Sequence, residues 1–280
     1  MKKLFIVFAI ALAFFGCRSD KEAQSALTFQ SNLPIRGVWW WDSDLILDDR
    51  YLEFAANNDI NEIYLSTTNF GKVTGDFIEK ARSKGIKVFL LEGDYSDIEN
   101  DKGILRIIDN FLEYQDTAPN DRQFAGIHLD IEPHQHIDFA AQRSEILKDY
   151  LDLIIRLSDK LPIDIDIPFW FDDEIEYKGK NVALYYALID RADRTFIMSY
   201  RDSALEMYNE SKEEIEAAKA LNKTIILGAE TYSQEGDKVS YMEEGKRYMY
   251  NELNKLKDYI SYPSIGVSIH QIKTWYDLQE

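Results

Sequence analysis

The sequence predicts an α/β protein built as a single (β/α)8 TIM barrel, preceded by a signal peptide and a short tether. From residue 35 onward, short apolar or β-branched runs alternate with longer amphipathic stretches. This alternation predicts a parallel sheet, because parallel neighbours need a crossover helix between them. Eight such strands within about 245 residues favour a closed barrel. An open doubly wound sheet is the alternative, but no glycine-rich phosphate loop follows the first strand.

The elements can be placed along the chain from these patterns. The eight predicted strands cover residues 36–41, 62–67, 87–92, 125–132, 163–169, 195–200, 224–230 and 264–271. The predicted helices cover residues 48–57, 75–84, 103–114, 137–160, 204–221 and 240–256. Gly85 follows a helical stretch, as at a helix C-terminus, and Pro162 and Pro263 each stop a helix before the next strand. One barrel domain, residues 33–280, accounts for all of these elements.

The amino terminus has the features of an export signal. Two lysines and a short apolar run precede Gly16, and the only cysteine, Cys17, follows directly. A basic start, a short apolar stretch and a small residue before the cleavage point are typical of a secretory signal, and the run is too short to span a membrane permanently. We predict a lipoprotein signal peptide over residues 1–16 and a lipidated Cys17, carrying palmitate-type acyl chains, that begins a flexible tether over residues 17–32. A signal peptide with a chance cysteine is the alternative.

Charge and anchoring restrict the partners of the chain. The formal net charge is −18, with 50 acidic against 32 basic residues. Such a surface repels phosphate backbones, so we expect no nucleic-acid partner. The signal and lipidation predict a location in the cell envelope, anchored to a bacterial membrane through the lipid. The sequence leaves the oligomeric state open.

The fourth predicted strand carries the strongest functional signal. Apolar residues occupy its odd positions, so His128, Asp130 and Glu132 share the opposite face and should point into the barrel. Ionisable groups in a packed interior cost several kcal/mol unless they are paired or used. Glu132 lies at the carboxyl end of the strand, where such barrels keep their active sites. A structural polar network is the alternative to a functional one.

Other strand ends supply candidates for substrate contacts. Acids and aromatic rings at strand ends suit sugars, whose C–H faces stack on indole while their hydroxyls pair with carboxylates. Strand alternation predicts that Trp40 and Trp170 point into the barrel. Trp275 is a candidate because it lies in a loop just after the last strand. The predicted substrate-binding residues are His128, Trp40, Asp166, Trp170, Met198, Glu230, His270 and Trp275.

The histidines that follow strand four raise the question of a metal site. His134 and His136 lie beyond Pro133 in a loop, and His270 is the only histidine on another strand. Histidine and carboxylate ligands suit zinc or manganese. The scattered positions predict neither a metal nor any other cofactor.

At strand four the chain resembles the chitinase-like, family 18 glycoside hydrolases, whose pattern there is D-G-x-D-x-D-x-E. Residues 125–132 read AGIHLDIE, so the Gly and the final Asp-x-Glu are kept, while Ala125 and His128 stand where the family has Asp. Residues 198–200, Met-Ser-Tyr, are similar to the family's Met-x-Tyr. Trp275 is similar to the family's tryptophan near the last strand. The chain therefore resembles a divergent member of this TIM-barrel superfamily, one that is a lipoprotein.

The resemblance implies a mechanism and three catalytic residues. Glu132 would be the general acid, and Asp130 would orient the N-acetyl group of the substrate. Tyr200 would donate a hydrogen bond from its hydroxyl to support that group. The acetamido group itself would attack the anomeric carbon, so one protein acid suffices. A neighbouring carboxylate raises the pKa of such an acid and helps it keep its proton. The expected function is therefore hydrolysis of a glycan, with N-acetylhexosamine-containing glycans favoured.

Three alternatives remain open from the sequence. Glu132-Pro133 with Glu230 also resembles the large clan of retaining glycosidases, in which carboxyl groups about 5–5.5 Å apart act as acid and nucleophile. The direction in which Glu230 points is not decided by the residues around it. The chain could instead be a non-catalytic surface glycan-binding lipoprotein on a degenerate barrel. It could also hydrolyse a substrate that is not a glycan, because fold does not fix function.

Overall fold

The structure is a computed structural model that describes residues 27–234, 236 and 238–280. Its strands, in chain order, are β1 (Ile35–Trp40), β2 (Glu62–Ser66), β3 (Lys87–Glu92), β4 (Ile127–Leu129), β5 (Asp164–Pro168), β6 (Glu174–Tyr177), β7 (Lys180–Ala183), β8 (Arg194–Met198), β9 (Thr224–Glu230) and β10 (Ile265–His270). Its α-helices are α1 (Asp49–Asn57), α2 (Lys72–Ser83), α3 (Lys102–Thr117), α4 (Phe139–Ser158), α5 (Leu184–Arg191), α6 (Ala204–Glu210), α7 (Lys212–Leu221), α8 (Gly245–Tyr259) and α9 (Ile272–Asp277).

Eight of the strands form a closed parallel barrel. Their order around it is β1, β10, β9, β8, β5, β4, β3 and β2, so each strand pairs with its neighbours in the chain once β6 and β7 are set aside. The predicted (β/α)8 barrel is confirmed. The helix end predicted at Gly85 is also present, because Gly85 has a left-handed φ of 80° and its amide donates to the carbonyl of Arg82.

Two regions differ from the predicted element list. A two-stranded antiparallel hairpin, β6 and β7, and the helix α5 lie between β5 and β8, where no element was predicted. Lys178 and Gly179 close the hairpin with positive φ angles of 53° and 73°, as a two-residue hairpin turn requires. The single helix predicted over residues 204–221 is two helices, because the backbone leaves helical geometry at Ser211.

The barrel separates two apolar layers. Alternate residues of each strand face the surrounding helices, and the others face the barrel interior. The interior is filled mainly by large rings from four strands together with aliphatic side chains. This inner cluster comprises Trp39, Tyr64, Phe89, Leu91, Phe196 and Ile226. It seals the middle of the barrel, so any site must lie above it at the carboxyl ends of the strands.

The amino-terminal predictions meet the structure only in part. The signal peptide over residues 1–16 and Cys17 lie outside the described residues. Phe29 is fully buried, its amide donates to Asn58 Oδ1 over 2.6 Å, and its ring lies 5.4 Å from that of Tyr250. The tether predicted to extend to residue 32 therefore ends earlier, because Phe29 packs on the barrel. None of the helices in the described ranges is long and apolar enough to cross a membrane.

Candidate active site

An open cavity of about 600 Å³ lies at the carboxyl ends of the barrel strands. Seven of the residues predicted from the sequence line it, which are Asp130, Glu132, Trp170, Met198, Tyr200, Glu230 and His270. The cavity therefore brings together side chains from the ends of β4, β5, β8, β9 and β10. The alternation that predicted an inward Asp130 and Glu132 is confirmed, since Ile127, Leu129 and Ile131 are buried on the helix side.

Asp130 is positioned by a close approach between two strand ends. Its amide donates to the carbonyl of Glu92 over 2.9 Å, which extends the pairing of β3 and β4 by one residue. Gly93 has a φ of 143°, and a Cβ at this position would lie 2.6 Å from the carbonyl oxygen of Asp130. Only glycine fits there, so the sequence at Gly93 sets where the Asp130 backbone lies.

Glu132 occupies the exit of β4, where the chain turns away from the barrel. Pro133 begins a short 3-10 turn at the next residue, which ends the strand direction immediately after Glu132. The Glu132 side chain is 20% exposed, so it reaches the cavity. It accepts a hydrogen bond from Gln135 and lies 3.6 Å from His134 Nε2.

The two carboxyl groups of β4 hold their protons more tightly than free acids. Burial raises the pKa of Glu132, and His270 opposes that rise. Burial also raises the pKa of Asp130 well above its ordinary value, and Asp166 and Glu132 add to the rise by like-charge repulsion. An acid whose pKa approaches the working pH can deliver a proton to a leaving group. The arrangement therefore suits general acid catalysis by Glu132.

Tyr200 fits into the wall of the cavity because its neighbouring strand carries a glycine. A Cβ on Gly228 would meet Tyr200 Cε1 at 3.1 Å, so the ring rests on the bare backbone of β9. Burial raises the pKa of Tyr200 well above its ordinary value, and the nearby carboxylate of Glu230 adds to the rise. The phenol therefore keeps its proton and can act as a hydrogen-bond donor.

Glu230 points into the barrel, which decides the orientation left open by the sequence. Oε1 of Glu230 accepts from the amides of Thr231 and Tyr232 over 2.7 Å each. Oε2 accepts from Gln234 Nε2 and from His270 Nδ1, both over 3.0 Å. With a side chain only 1% exposed and both oxygens occupied, Glu230 holds His270 and the loop after β9 in place.

His270 is oriented from both sides of its ring. Nδ1 of His270 faces the Glu230 carboxylate, and Nε2 accepts a hydrogen bond from Trp41 Nε1 over 3.0 Å. The imidazole therefore ties Trp41 to the Glu230 carboxylate in the cavity wall.

Two residues predicted to bind substrate lie one layer below the cavity. His128 is fully buried, and its Nε2 is 2.5 Å from Asp166 Oδ2. The imidazole packs against the rings of Tyr64 and Phe196, with centroids 4.9 and 4.3 Å away. Burial lowers the pKa of His128 to about 3. The prediction that His128 and Asp166 contact substrate is wrong, although their inward direction is correct, because both side chains are buried and neither lines the cavity.

The tryptophan predictions are wrong in two of three cases. Trp40 is fully buried against Tyr51 and Phe77 on the helix side of β1, because Trp39 and Trp41 take the inward positions. Trp275 belongs to α9 and is also fully buried, where its Nε1 donates to the hydroxyl of Tyr250 over 3.0 Å. Trp170 does line the cavity, as predicted, with its ring 5.3 Å from that of His134.

Several cavity residues were not singled out from the sequence. They are contributed by strand ends and loops, and they include Trp41, Tyr95, Phe169, Arg201 and Gln234. Strand alternation could have identified Trp41, had the run of three tryptophans been placed in the other register. The loop residues follow no periodicity, so the sequence gives no signal for them.

The histidines after β4 do not converge on one point. His136 Nε2 lies 2.8 Å from Glu99 Oε1 outside the cavity lining, whereas His134 faces Trp170. Within the described residues, no group of three His, Cys, Asp or Glu side chains is arranged to hold a metal ion.

Comparison with known proteins places the fold. No protein-family model and no curated protein matches the sequence. The spore cortex-lytic enzyme SleL of Bacillus cereus is structurally similar, with a TM-score of 0.52 and 13% identity over 89% of this chain and 74% of its own. SleL of Bacillus megaterium has a TM-score of 0.51 and 12% identity over 88% of this chain and 73% of its own. A mutant class V chitinase from Cycas revoluta, solved with (GlcNAc)3, has a TM-score of 0.50 and 9% identity over 87% of this chain and 96% of its own.

These neighbours confirm the resemblance at the level of the fold. The chain has a TIM barrel of the kind found in chitinases and related glycoside hydrolases. At such low identities the likeness does not extend to substrate or mechanism. Substrate and mechanism depend on the residues of the cavity.

Proposed function

We propose that the protein is a lipid-anchored glycoside hydrolase that cleaves a glycan, with N-acetylhexosamine-containing glycans as the favoured substrates. The observation that carries the proposal is the position of Asp130 and Glu132 together at the bottom of an open cavity at the carboxyl ends of the strands. Trp41 and Trp170 also line this cavity and offer flat apolar surfaces for sugar rings. Acids beside aromatic rings suit carbohydrate, whose hydroxyls pair with carboxylates while its C–H faces stack on indole.

In the proposed reaction Glu132 protonates the glycosidic oxygen as the bond to the leaving sugar breaks. Asp130 orients the acetamido group of the sugar, whose oxygen attacks the anomeric carbon, and Tyr200 donates a hydrogen bond to that group. Water then attacks the anomeric carbon as the bond to the acetamido oxygen breaks, and the Glu132 carboxylate takes up a proton from that water. This route needs one protein acid and no protein nucleophile.

The retaining mechanism with Glu230 as nucleophile receives less support. Both oxygens of Glu230 accept hydrogen bonds from the protein, and the side chain is 1% exposed. An attacking carboxylate would have to give up these partners before reaching a sugar. The acetamido group of the substrate is the better candidate for the nucleophile.

The lipid anchor and the location in the cell envelope form a separate part of the proposal. They rest on the signal-like run before Cys17. Cys17→Ser should release the exported protein from the membrane fraction, while the wild type partitions into detergent and carries acyl chains detectable by mass spectrometry. If the wild-type protein carries no acyl chains, the proposed lipid anchor is wrong, whereas the proposed glycoside hydrolase activity is unaffected.

A glycan-binding protein without turnover is the second candidate. The observation that favours it is the presence of Ala125 and His128 where the similar enzymes have Asp in strand four. Such a protein would keep the aromatic walls of the cavity and lose the chemistry. The two candidates differ in whether reducing ends appear.

Glu132→Gln is the decisive variant, because glutamine keeps the shape of the side chain and cannot donate a catalytic proton. We expect turnover of N-acetylated oligosaccharides to fall about 10²–10⁴-fold while oligosaccharide affinity is retained. Glu92→Gln is the matched control. Burial raises the pKa of Glu92 to about 7, yet Glu92 does not line the cavity, so its loss should leave turnover unchanged.

The same assay separates the alternatives. Wild-type protein that binds oligosaccharides and releases no reducing ends would establish the glycan-binding function. Turnover that survives Glu132→Gln would remove Glu132 as the acid. Turnover of non-acetylated glycans as fast as acetylated ones would remove the substrate-assisted route.

A further inference from the structure

A second carboxyl group lies directly beside Asp130 in the barrel interior. In the parallel pairing of β4 with β5, His128 faces Asp164 and Leu129 faces Ile165. One step further along the same register, Asp130 stands next to Asp166, and both side chains point inward. Adjacent strands are about 4.8 Å apart, so the two carboxyl groups are close neighbours.

Asp166 is buried, Asp130 is half-buried at the cavity, and each has part of its hydrogen-bonding capacity unused. Oδ1 of Asp130 and Oδ1 of Asp166 are both buried, and neither has a hydrogen-bond partner among the described residues. Asp166 is 2% exposed and the inner oxygen of Asp130 is sealed from solvent, so a second negative charge beside the first is strongly disfavoured. One of the two must therefore hold a proton, and that proton can bridge the pair.

His128 indicates which of the two acids carries the charge. The imidazole is neutral because burial lowers its pKa to about 3, so only one of its nitrogens carries hydrogen. Nε2 lies 2.5 Å from Asp166 Oδ2, whereas Nδ1 has no partner in the described part of the chain. An Nε2–H that donates to Asp166 stabilises the carboxylate form of Asp166. The proton then belongs to Asp130.

The other ionisable groups around the pair do not offset this arrangement. Arg194 is the nearby guanidinium, and it is bound in the layer below by Glu62 and Asp164. The titratable and charged groups that face the pair from the surrounding elements are Glu62 (β2), Glu132 (after β4), Tyr150 (α4), Asp164 (β5), Arg194 (β8), Tyr200 (after β8), Glu230 (β9) and His270 (β10).

We infer that Asp166 is a positioning residue which, held by His128, keeps a proton on Asp130. The buried oxygen of Asp130 then carries the shared proton, which leaves the other oxygen as an acceptor for the substrate at the cavity. The acceptor oxygen can receive the N–H of an acetamido group, which fits the orienting role assigned to Asp130. The catalytic meaning of the inference rests on the proposed function, whereas the protonation itself can be measured without any turnover.

The test measures the contribution of Asp130 to the pH dependence of the free energy of unfolding. A carboxyl group whose pKa is raised by folding stabilises the protein fully below its unfolded pKa of about 4, and this contribution is lost as the pH rises through the folded pKa. The contribution is the difference between each protein and its Asp130→Asn derivative, measured by urea unfolding across the pH range.

Asp166→Asn should move the upper end of this contribution to lower pH by about one unit or more, because the like charge beside Asp130 is gone. Asp164→Asn is the matched control, since Asp164 lies on the same strand and the same inward face but pairs with Arg194. It should lower overall stability and leave the contribution of Asp130 where it is in the wild type. Should Asp166→Asn fail to fold, His128→Asn removes the bond that holds Asp166 and should shift the contribution in the same direction.

The outcomes separate this inference from the proposed function. An Asp130 contribution that is identical in the wild type and in Asp166→Asn overturns the inference, whatever the turnover. A shift in the expected direction supports it even if no glycan is cleaved, in which case the proposed function fails alone. Where turnover is present, the alkaline limb of its pH profile should move down with the stability curve in Asp166→Asn, and an unmoved limb would overturn the positioning role.

Discussion

The interior of the barrel holds acidic residues at two levels, and the two levels differ in how their charge is balanced. At the lower level, Arg194 Nη1 donates to Glu62 over 2.7 Å and its Nη2 donates to Asp164 over 2.5 Å. At the upper level, Asp130 and Asp166 lie side by side, each with a buried oxygen that no described residue contacts by a hydrogen bond, and Glu132 stands above them at the cavity. Acids that are neutralised serve the fold, whereas acids left unbalanced at the base of a cavity are typical of a functional site.

The lower level predicts the largest effect on stability. Arg194→Met would leave Glu62 and Asp164 buried without a cation, and we expect the free energy of unfolding to fall by about 3–5 kcal/mol. Turnover per folded molecule should not change, because Arg194 begins β8 and so lies at the end of that strand opposite the cavity. Urea unfolding and a glycan assay on the same preparation measure both quantities.

A triple variant makes that prediction specific to charge. Adding Glu62→Gln and Asp164→Asn to Arg194→Met removes the two buried acids that would be left without a cation, and it should recover part of the lost stability. If the triple variant is no more stable than Arg194→Met, the lower level contributes packing and not charge balance. The contrast between the two levels would then lose its physical basis.

The sequence predicted the layout of the barrel because alternation is a strong signal in buried parallel strands. In β4, three aliphatic residues alternate with His128, Asp130 and Glu132, so their shared direction follows from the sequence alone. The same rule failed in β1, where three tryptophans in a row show no alternation. A one-residue shift in such a run moves every side chain to the other face of the strand, which is why the pattern favoured Trp40 over Trp41.

Depth within the barrel could not be predicted from the sequence. His128, Asp130 and Asp166 all point inward, but whether an inward side chain reaches the cavity depends on strand stagger and on the residues above it. The hairpin of β6 and β7 was missed for a different reason. Its strands are four residues long and largely exposed, which is too short for a periodic pattern to stand out.

A substitution at Gly93 should have an effect of intermediate size, because the backbone at Gly93 lies against Asp130 of the upper level. Gly93→Ala forces a side chain into a φ of 143° and against the Asp130 carbonyl, and we expect a loss of about 1–3 kcal/mol in stability. Turnover should fall as well, because Asp130 must move. Gly179→Ala is the matched control, since it also has a positive φ, of 73°, but nothing lies within 4 Å of the added carbon.

The comparison of these two glycines tests whether position or strain matters. Gly179→Ala should cost roughly 1–2 kcal/mol of stability through its left-handed backbone alone and leave turnover per folded molecule intact. Equal losses of turnover in the two variants would mean that general destabilisation accounts for both. Asp130 would then not depend on the close approach of Gly93.

The smallest expected effect concerns the aromatic wall of the upper level. Trp170 lines the cavity, and the guanidinium carbon of Arg143 lies 5.1 Å from the centroid of its ring. Trp170→Ala should weaken oligosaccharide binding by about 1 kcal/mol, roughly five-fold, because a ring surface for one sugar is removed. Trp170→Phe keeps an aromatic face and should recover most of the affinity, as measured by calorimetric titration. Equal affinity in wild type and Trp170→Ala would show that sugar stacks elsewhere, and the acids of the upper level would then have to hold the substrate without this wall.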